Sequence, residues 1–347
     1  MRIASYDYTG YDYTMVKKKE DNKFKLELNI DYHSTRFFAI LFPAIYSVAI
    51  VISCLAYKIL PGPEFLILAL LIYAAYNKKA WSFLKDWLPF ITVFVSYEIM
   101  YSVVGTIAQN NLHSGPYNLE MQVFGQIPSL FLQQTMRIPI LDYMGAFFYS
   151  AYFFAPTVFA FILWKKSPKN CWKYTVAFGV CTYGALITFL FYPVAPPWIA
   201  IPKVTQILIT SVDVKLGIPV YKWLFNFLNP DLYAAFPSMH SALPFLIFLF
   251  TFKIWRWKAL PLLSLPVGTW FSAVYLGEHY VVDVLGGIAY ATGAFVVVEK
   301  ILPLLLGKID FLRKHAQLKN GKEAANNARV LLSPADGGFK SHDAYDT

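Results

Sequence analysis

Charged side chains are scarce in this chain. Asp, Glu, Lys and Arg make up 15% of its 347 residues, whereas a soluble domain carries roughly a quarter. Hydrophobic residues make up 57%, and the mean hydropathy is +0.46. This composition excludes an ordinary soluble globular class. Together with apolar runs long enough to cross a bilayer, it predicts an all-α integral membrane protein.

Cysteine is scarce as well. The three cysteines, Cys54, Cys171 and Cys181, lie far apart and form neither a CxxC pair nor a metal-ligand spacing. We interpret all three as packing residues.

The surplus of positive charge also fits a membrane protein. The net charge is +9, but the basic residues cluster between apolar runs, as juxtamembrane anchors do. A nucleic-acid partner is therefore not expected.

Eight apolar runs, most of about 20 residues, predict about eight transmembrane helices. They cover residues 37–57, 64–83, 87–108, 143–164, 174–192, 241–255, 260–277 and 281–306. The second run is the weakest because Asn77 and two lysines interrupt it. Between the third and fourth runs, residues 109–142 are broken by prolines and resemble a helix lying along the membrane surface.

The tails and the basic loops predict the orientation. Residues 1–33 are polar and basic and lack a cleavable apolar core, so we predict a retained tail. Residues 307–347 are polar and are expected to be disordered. With eight spans, the loops rich in lysine and arginine all fall on one side, so both termini are predicted to be cytoplasmic. These loops cover residues 17–25, 78–85, 165–173, 253–258 and 308–314.

Two histidines and an aspartate are predicted to meet at the opposite, outer rim. One crossing follows His240 and a second returns the chain to His279, so both histidines lie at the same membrane face. Asp283 lies four residues beyond His279, which on a helix places both side chains on one face. The loop over this rim, residues 192–239, begins with a proline-rich stretch that stiffens its backbone.

Such a cluster favours acid–base or nucleophilic chemistry. Imidazole can act as a nucleophile or general acid, and a carboxylate one turn away can fix its tautomer. Pro237 and Ser238 open the helix that carries His240, where free N–H groups would suit a phosphate. Three alternatives remain: histidines that are only hydrogen-bond partners, a zinc site with Glu278 as a further ligand, and a proton relay in a transporter.

The motifs around these residues resemble the type-2 phosphatidic acid phosphatase superfamily. Pro237-Ser238-Met239-His240 resembles its Pro-Ser-Gly/Leu-His pattern, with Met239 at the third position, and residues 277–283 match its Gly-x-His-x-x-x-Asp pattern. The proline loop at 192–198 and the sequence Glu278-His279-Tyr280 are similar to the inositolphosphotransferase branch, which includes inositol phosphorylceramide synthases. The resemblance covers roughly residues 87–290.

The resemblance implies a six-helix catalytic bundle with a phosphohistidine intermediate on His279. Asp283 would support that histidine, His240 would protonate the leaving group, and no metal or other cofactor is implied. The predicted divisions are then a tail (1–33), two N-terminal transmembrane helices (34–86), the six-helix catalytic domain (87–306) and a cytoplasmic tail (307–347).

The family's phosphate clamp is incomplete in this chain. Its arginine six residues before the nucleophilic histidine is replaced by Ala273, and its upstream lysine and Arg-Pro motif has no convincing copy. The candidates for binding the substrate or its phosphate are Ser238, Arg137, Lys203, Trp198 and Glu278, with Lys215 and Lys222 as further outer-face cations.

The sequence therefore predicts a metal-independent enzyme of the cell membrane that transfers phosphoryl groups of a lipid phosphate at the outer face. The leading version is an inositolphosphotransferase-like enzyme with a lipid acceptor. The alternative is a phosphatase acting on phosphatidic acid or a polyprenyl phosphate or diphosphate, with water as acceptor. The number of subunits is left open.

Overall fold

The computed structural model describes residues 4–6, 12–14, 64–108, 112–228 and 232–309. The chain divides into two compact units, Met1–Phe295 and Val296–Thr347. In the first unit, β1 (Ala4–Tyr6) and β2 (Asp12–Thr14) form an antiparallel pair, and the other regular elements described are helices. In the second unit, the described residues 296–309 are helical.

The helices follow the apolar runs of the sequence. They are α1 Glu64–Tyr76, α2 Ala80–Ala108, α3 Gly115–Phe124, α4 Pro128–Thr135, α5 Pro139–Lys166, α6 Pro168–Phe191, α7 Pro197–Ala200, α8 Val214–Leu216, α9 Val220–Leu228, α10 Met239–Trp255, α11 Ser264–Tyr275 and α12 Val281–Val296. A π-helix, Leu208–Asp213, precedes α8, a 3₁₀ helix, Arg256–Leu263, links α10 to α11, and a second π-helix, Val297–Ile301, follows α12.

Three of these helical stretches are long and apolar enough to cross a membrane: Pro139–Lys166, Pro168–Phe191 and Val281–Ile309. They support a membrane protein, while the count of eight spans stays a prediction. The first predicted span, 37–57, lies outside the described residues. The second is interrupted as expected, because α1 ends at Tyr76 and Lys78 adopts a positive φ of 58° before α2 begins.

The segment between the third and fourth predicted spans forms two short helices, α3 and α4. Each has a proline in its first turn, where the missing N–H costs no hydrogen bond. Gly125 ends α3 in the left-handed conformation, with a φ of 66°. The chain thereby turns twice before α5, and α4 packs against α11, the helix that leads to His279.

A buried core joins α5, α11 and the segment before α8. Its largest fully buried side chain is Tyr275. The Tyr275 hydroxyl donates to the Asp142 carboxylate at 2.6 Å, and Lys215 donates to the same carboxylate at 2.7 Å. Asp142 is fully buried, so these donors offset the loss of its hydration. The contacts fix the loop segment around residues 208–216 onto α5 and α11, the two helices that flank the histidine cluster.

Candidate active site

The two histidines contact each other across the start of α10. Ser238 caps this helix, its hydroxyl oxygen accepting from the Ser241 amide at 3.2 Å, and His240 is the helix's second residue. His279 lies in the turn between α11 and α12. The Nδ1 atom of His240 is 3.2 Å from Nε2 of His279, although the residues are 39 positions apart.

A glycine allows this approach. A Cβ atom at Gly287 would lie 2.2 Å from the Ser238 carbonyl oxygen, closer than atoms can approach. With hydrogen in that place, the Ser241 hydroxyl donates to the Val284 carbonyl at 2.8 Å, and the Ser238 amide donates to the Asp283 carbonyl at 2.9 Å. The start of α10 is therefore held directly against α12.

The proton position on His279 follows from its partners. Its Nδ1 atom lies 3.0 Å from the Ala235 carbonyl oxygen and 3.7 Å from Oδ2 of Asp283. Because a carbonyl oxygen only accepts, Nδ1 carries the proton. In the neutral ring Nε2 then holds a lone pair, and it is directed at His240. This is the tautomer that a nucleophilic Nε2 requires.

The helix at Asp283 begins later than the sequence spacing suggests. The four-residue spacing predicts His279 and Asp283 on one helical face, but α12 begins at Val281 and His279 precedes it. The reason is that Oδ2 of Asp283 accepts from the Tyr280 amide at 2.8 Å and so caps its own helix. One carboxylate thus fixes the helix start and lies beside the imidazole.

Aromatic rings hold His240. Tyr149 stacks on it with ring centroids 3.9 Å apart and an interplanar angle of 14°, and Tyr152 lies 4.1 Å away. The Nε2 atom of His240 is buried and has no hydrogen-bond partner among the residues the structure describes. Beside this ring, a small recess, part of it open to the outside, is lined by Tyr152, Phe153 and Leu243 together with side chains of α2 and α6.

The 3.2 Å contact between the rings is too short to hold a phosphorus atom. In a reactive arrangement the nucleophile lies about 3 Å from phosphorus, and the acid is within about 3 Å of the leaving oxygen. A phosphorus atom could lie between the two nitrogens only if they were roughly 6 Å apart.

The proline loop is fastened onto the turn that carries His279. The Trp198 indole donates to Glu278 at 3.1 Å, and the Gln206 amide donates to the other Glu278 oxygen at 3.3 Å. The Trp198 backbone amide donates to the Gly277 carbonyl at 3.1 Å. Gly277 has a φ of 81°, a conformation that favours glycine. Burial raises the pKa of the Glu278 carboxyl to about 7.

The predicted cations are not part of this network. Arg137 and Lys203 are exposed and form no hydrogen bond or ion pair with any described residue, and Lys215 is paired with Asp142. Ala273 is fully buried, and its carbonyl accepts from the amides of Glu278 and His279. It helps to shape the turn but supplies no positive charge for a phosphate.

No metal-binding cluster of three or more His, Cys, Asp or Glu side chains occurs in the described part of the chain. The zinc alternative therefore gains no further ligand there. Both carboxylate oxygens of Glu278, which was suggested as a zinc ligand, accept hydrogen bonds from Trp198 and Gln206.

Several residues at the site do not stand out in the sequence. Glu120 on α3 is fully buried, and its Oε1 accepts from the Val281 amide at 2.5 Å. The buried Ser129 hydroxyl on α4 lies 3.5 Å from the His279 carbonyl oxygen. Tyr149 and Tyr152 look like ordinary apolar residues of a span. Glu120 belongs to a segment expected to lie along the membrane surface, where an acid is ordinary, so no sequence pattern marks it as a site residue.

Comparisons with known proteins place the chain in a family. A family model described as the PAP2 superfamily matches residues 117–297. Phosphoinositol dihydroceramide synthase of Bacteroides thetaiotaomicron is 25% identical over 251 residues, which cover 66% of this chain and 81% of that protein. No solved structure matches the chain.

Two fungal proteins match over shorter stretches. The inositol phosphorylceramide synthase catalytic subunit of Schizosaccharomyces pombe is 28% identical over 207 residues, 55% of this chain and 48% of that protein. Inositol phosphorylceramide synthase of Candida albicans is 25% identical over 173 residues, 46% of this chain and 36% of that protein. The family match covers just over half of this chain and includes His240, His279 and Asp283. The chain therefore belongs to the PAP2 superfamily, the type-2 phosphatidic acid phosphatases.

Proposed function

We propose that this protein transfers a phosphoinositol group from an inositol phospholipid to the hydroxyl group of a ceramide-type lipid. The single observation that carries the chemistry is the His240 and His279 pair, with facing nitrogens 3.2 Å apart and Asp283 beside the second ring. The names of the relatives suggest the donor headgroup and the acceptor class.

In the first step, Nε2 of His279 attacks the donor phosphorus. A nitrogen–phosphorus bond forms, and the bond from phosphorus to the diacylglycerol oxygen breaks. His240 in its imidazolium form gives a proton to that oxygen, and the anionic phosphate stabilises this cation. The Asp283 carboxylate stabilises the positive charge that develops on the His279 ring.

In the second step, the acceptor hydroxyl attacks the phosphohistidine. His240 takes the hydroxyl proton, a new phosphorus–oxygen bond forms, and the bond to His279 breaks. The proton and both rings return to their starting states, and no metal takes part. If water is the acceptor, the same steps amount to hydrolysis.

A transferase must keep water from the intermediate. The proline loop fits this role because Trp198 is bonded both to Glu278 and to the Gly277 backbone, directly beside His279. We propose that this loop covers the phosphohistidine until the lipid acceptor binds. The uneven distribution of lysine and arginine further suggests that the site faces the outside of the membrane.

In the test, purified protein is incubated with inositol phospholipid that is labelled in its headgroup, with and without ceramide and in the presence of EDTA. The labelled products are then separated and measured. Wild type is expected to form labelled ceramide product, and Pro196→Gly combined with Pro197→Gly is expected to release more free inositol phosphate. Release of the hydrolysis product alone, whatever acceptor is offered, would replace the transferase with a phosphatase. Loss of activity in EDTA that zinc restores would instead indicate a metal enzyme.

Sidedness has its own test. A cysteine introduced at Lys203 is expected to react with an impermeant thiol reagent on intact cells, whereas one at Arg256 is not. The reverse pattern would place the histidines at the cytoplasmic face.

A further inference from the structure

The start of α12 depends on an acid from a separate helix. The Tyr280 amide donates to the carboxylate of Asp283, a residue of α12 itself. The next amide, that of Val281, donates to Oε1 of Glu120 at 2.5 Å, and the Val282 amide also faces this carboxyl. The first amides of a helix have no carbonyl partner within the helix. Asp283 bonds the Tyr280 amide only, so the amides of Val281 and Val282 need a partner from elsewhere. Glu120 therefore completes the cap from α3.

The position of this cap connects it to the chemistry. Asp283 lies two residues after Val281, and its Oδ2 is 3.7 Å from Nδ1 of His279. A shift of the first turn of α12 would move the carboxylate relative to the imidazole. Small displacements of this kind are costly in catalysis because reacting groups must be held in a narrow geometry.

We propose that Glu120 is a positioning residue for phosphoryl transfer, which fixes Asp283 against His279 by holding the first turn of α12. This inference rests on the proposed function of His279 and Asp283 but applies equally to a lipid or a water acceptor. The carboxyl is fully buried, and its Oε2 has no hydrogen-bond partner among the described residues, so Glu120 is not a surface acid.

The carbonyl oxygen of a glutamine can do the same work. Burial, together with the charge of nearby Asp283, raises the pKa of Glu120 to about 7. At neutral pH both protonation states are populated, and in both an oxygen can accept from the Val281 amide. Glu120→Gln should therefore keep the cap, whereas Glu120→Ala removes it.

The chain offers a matched control at another helix. Asp213 is buried and caps α9 from outside that helix, accepting from the Tyr221 amide at 2.9 Å and the Lys222 amide at 2.8 Å. The type of cap is the same, but none of the three residues of the proposed steps, His240, His279 and Asp283, lies on α9. Asp213→Ala separates loss of a helix cap in general from loss of the cap beside His279.

The experiment measures amide hydrogen exchange and steady-state kinetics of lipid-product release from inositol phospholipid, in full-length protein. Glu120→Ala is expected to speed exchange at Val281 and Val282 about tenfold and to lower kcat about tenfold, with KM within about twofold. Glu120→Gln should keep kcat within about threefold of wild type. Asp213→Ala should speed exchange at Tyr221 and Lys222 and leave kcat unchanged.

Three results would overturn the inference: unchanged exchange at Val281 in Glu120→Ala, faster exchange there with unchanged kcat, or an equal loss of kcat in Asp213→Ala. A wild-type protein that releases no lipid product would contradict the proposed function instead. The exchange data would still decide whether Glu120 holds α12.

Discussion

The two histidines of the site lie in contrasting surroundings. Hydrogen bonds surround His279: the Ala235 carbonyl accepts its proton, Asp283 lies alongside, and the proline loop is bonded to the turn. Aromatic rings surround His240, and its Nε2 has no partner in the part of the chain that is described.

This difference matches the two roles proposed for these histidines. A nucleophile needs a fixed lone pair, and hydrogen bonds provide that fixation for His279. A general acid and base has to approach first a leaving oxygen and then an acceptor hydroxyl. To do so, the His240 ring would leave its 3.2 Å contact with Nε2 of His279 and shift against the Tyr149 ring on which it stacks.

The largest expected effects come from removing either ring. His279→Ala and His240→Ala should each lower kcat at least about a thousandfold, because groups that act as a unit fail together. Asp283→Asn should leave weak residual activity. Lipid-product release measures kcat, and thermal unfolding checks that each variant is folded. Near wild-type turnover in His240→Ala would show that His240 is not the general acid and base, and would contradict the two different roles of the rings.

A smaller but still large effect on kcat is expected at Gly287, where α12 meets the start of α10, the helix that carries His240. Gly287→Ala places a methyl group against the Ser238 carbonyl, and overpacking of this kind costs about 1–3 kcal/mol. We expect lower thermal stability and at least a tenfold loss of kcat. Gly293→Ala on the same helix is the control, since a Cβ atom there meets nothing within 4 Å. Equal behaviour of the two variants would contradict the close approach of α10 and α12.

A change confined to the aromatic rings around His240 should have a moderate effect on kcat. Tyr149→Leu removes the ring that stacks on His240, and an aromatic pair contributes about 0.5–1.5 kcal/mol, which corresponds to at most about a tenfold change in kcat. Phe147→Leu on the same helix is the control because Phe147 is 70% exposed. If kcat of Tyr149→Leu equals that of the control, the stack does not position His240.

The helices of this fold could largely be predicted from sequence. The run 241–255 corresponds to Met239–Trp255, and 143–164 lies within Pro139–Lys166. Apolar runs predict helices well because a membrane leaves the backbone few other ways to satisfy its hydrogen bonds. The meeting of His240 and His279 also agrees with the sequence argument, which expects two crossings to return the chain to the same face.

Contacts between distant segments could not be predicted. Glu120 and its partner Val281 are 161 positions apart, and nothing in the pattern around Glu120 distinguishes it from a surface acid. The eighth apolar run begins at residue 281, as α12 does, but the four-residue spacing also places His279 on that helix. The spacing does not reveal that Asp283 caps the helix start, with His279 in the preceding turn. The pairing of Trp198 with Glu278 likewise depends on how the loop folds back.

Buried carboxyl groups near His279 should make the stability of the protein depend on pH. Burial raises the pKa of Glu278, and likewise of Glu120, from 4.5 to about 7. The folded state therefore binds more protons than the unfolded state between these values, and stability is lost as pH rises through this window. Glu278→Gln should flatten the fall in melting temperature between about pH 5 and 8. A wild-type curve as flat as that of the variant would contradict this.

The central claim is a covalent intermediate on His279, and mass spectrometry can test it directly. Protein is mixed with inositol phospholipid without acceptor, quenched under basic conditions that preserve phosphohistidine, and digested. The account predicts a phosphoinositol adduct on His279 that disappears when ceramide is added before the quench and is absent in His279→Ala. An adduct on His240, or full turnover in His279→Ala protein, would contradict it.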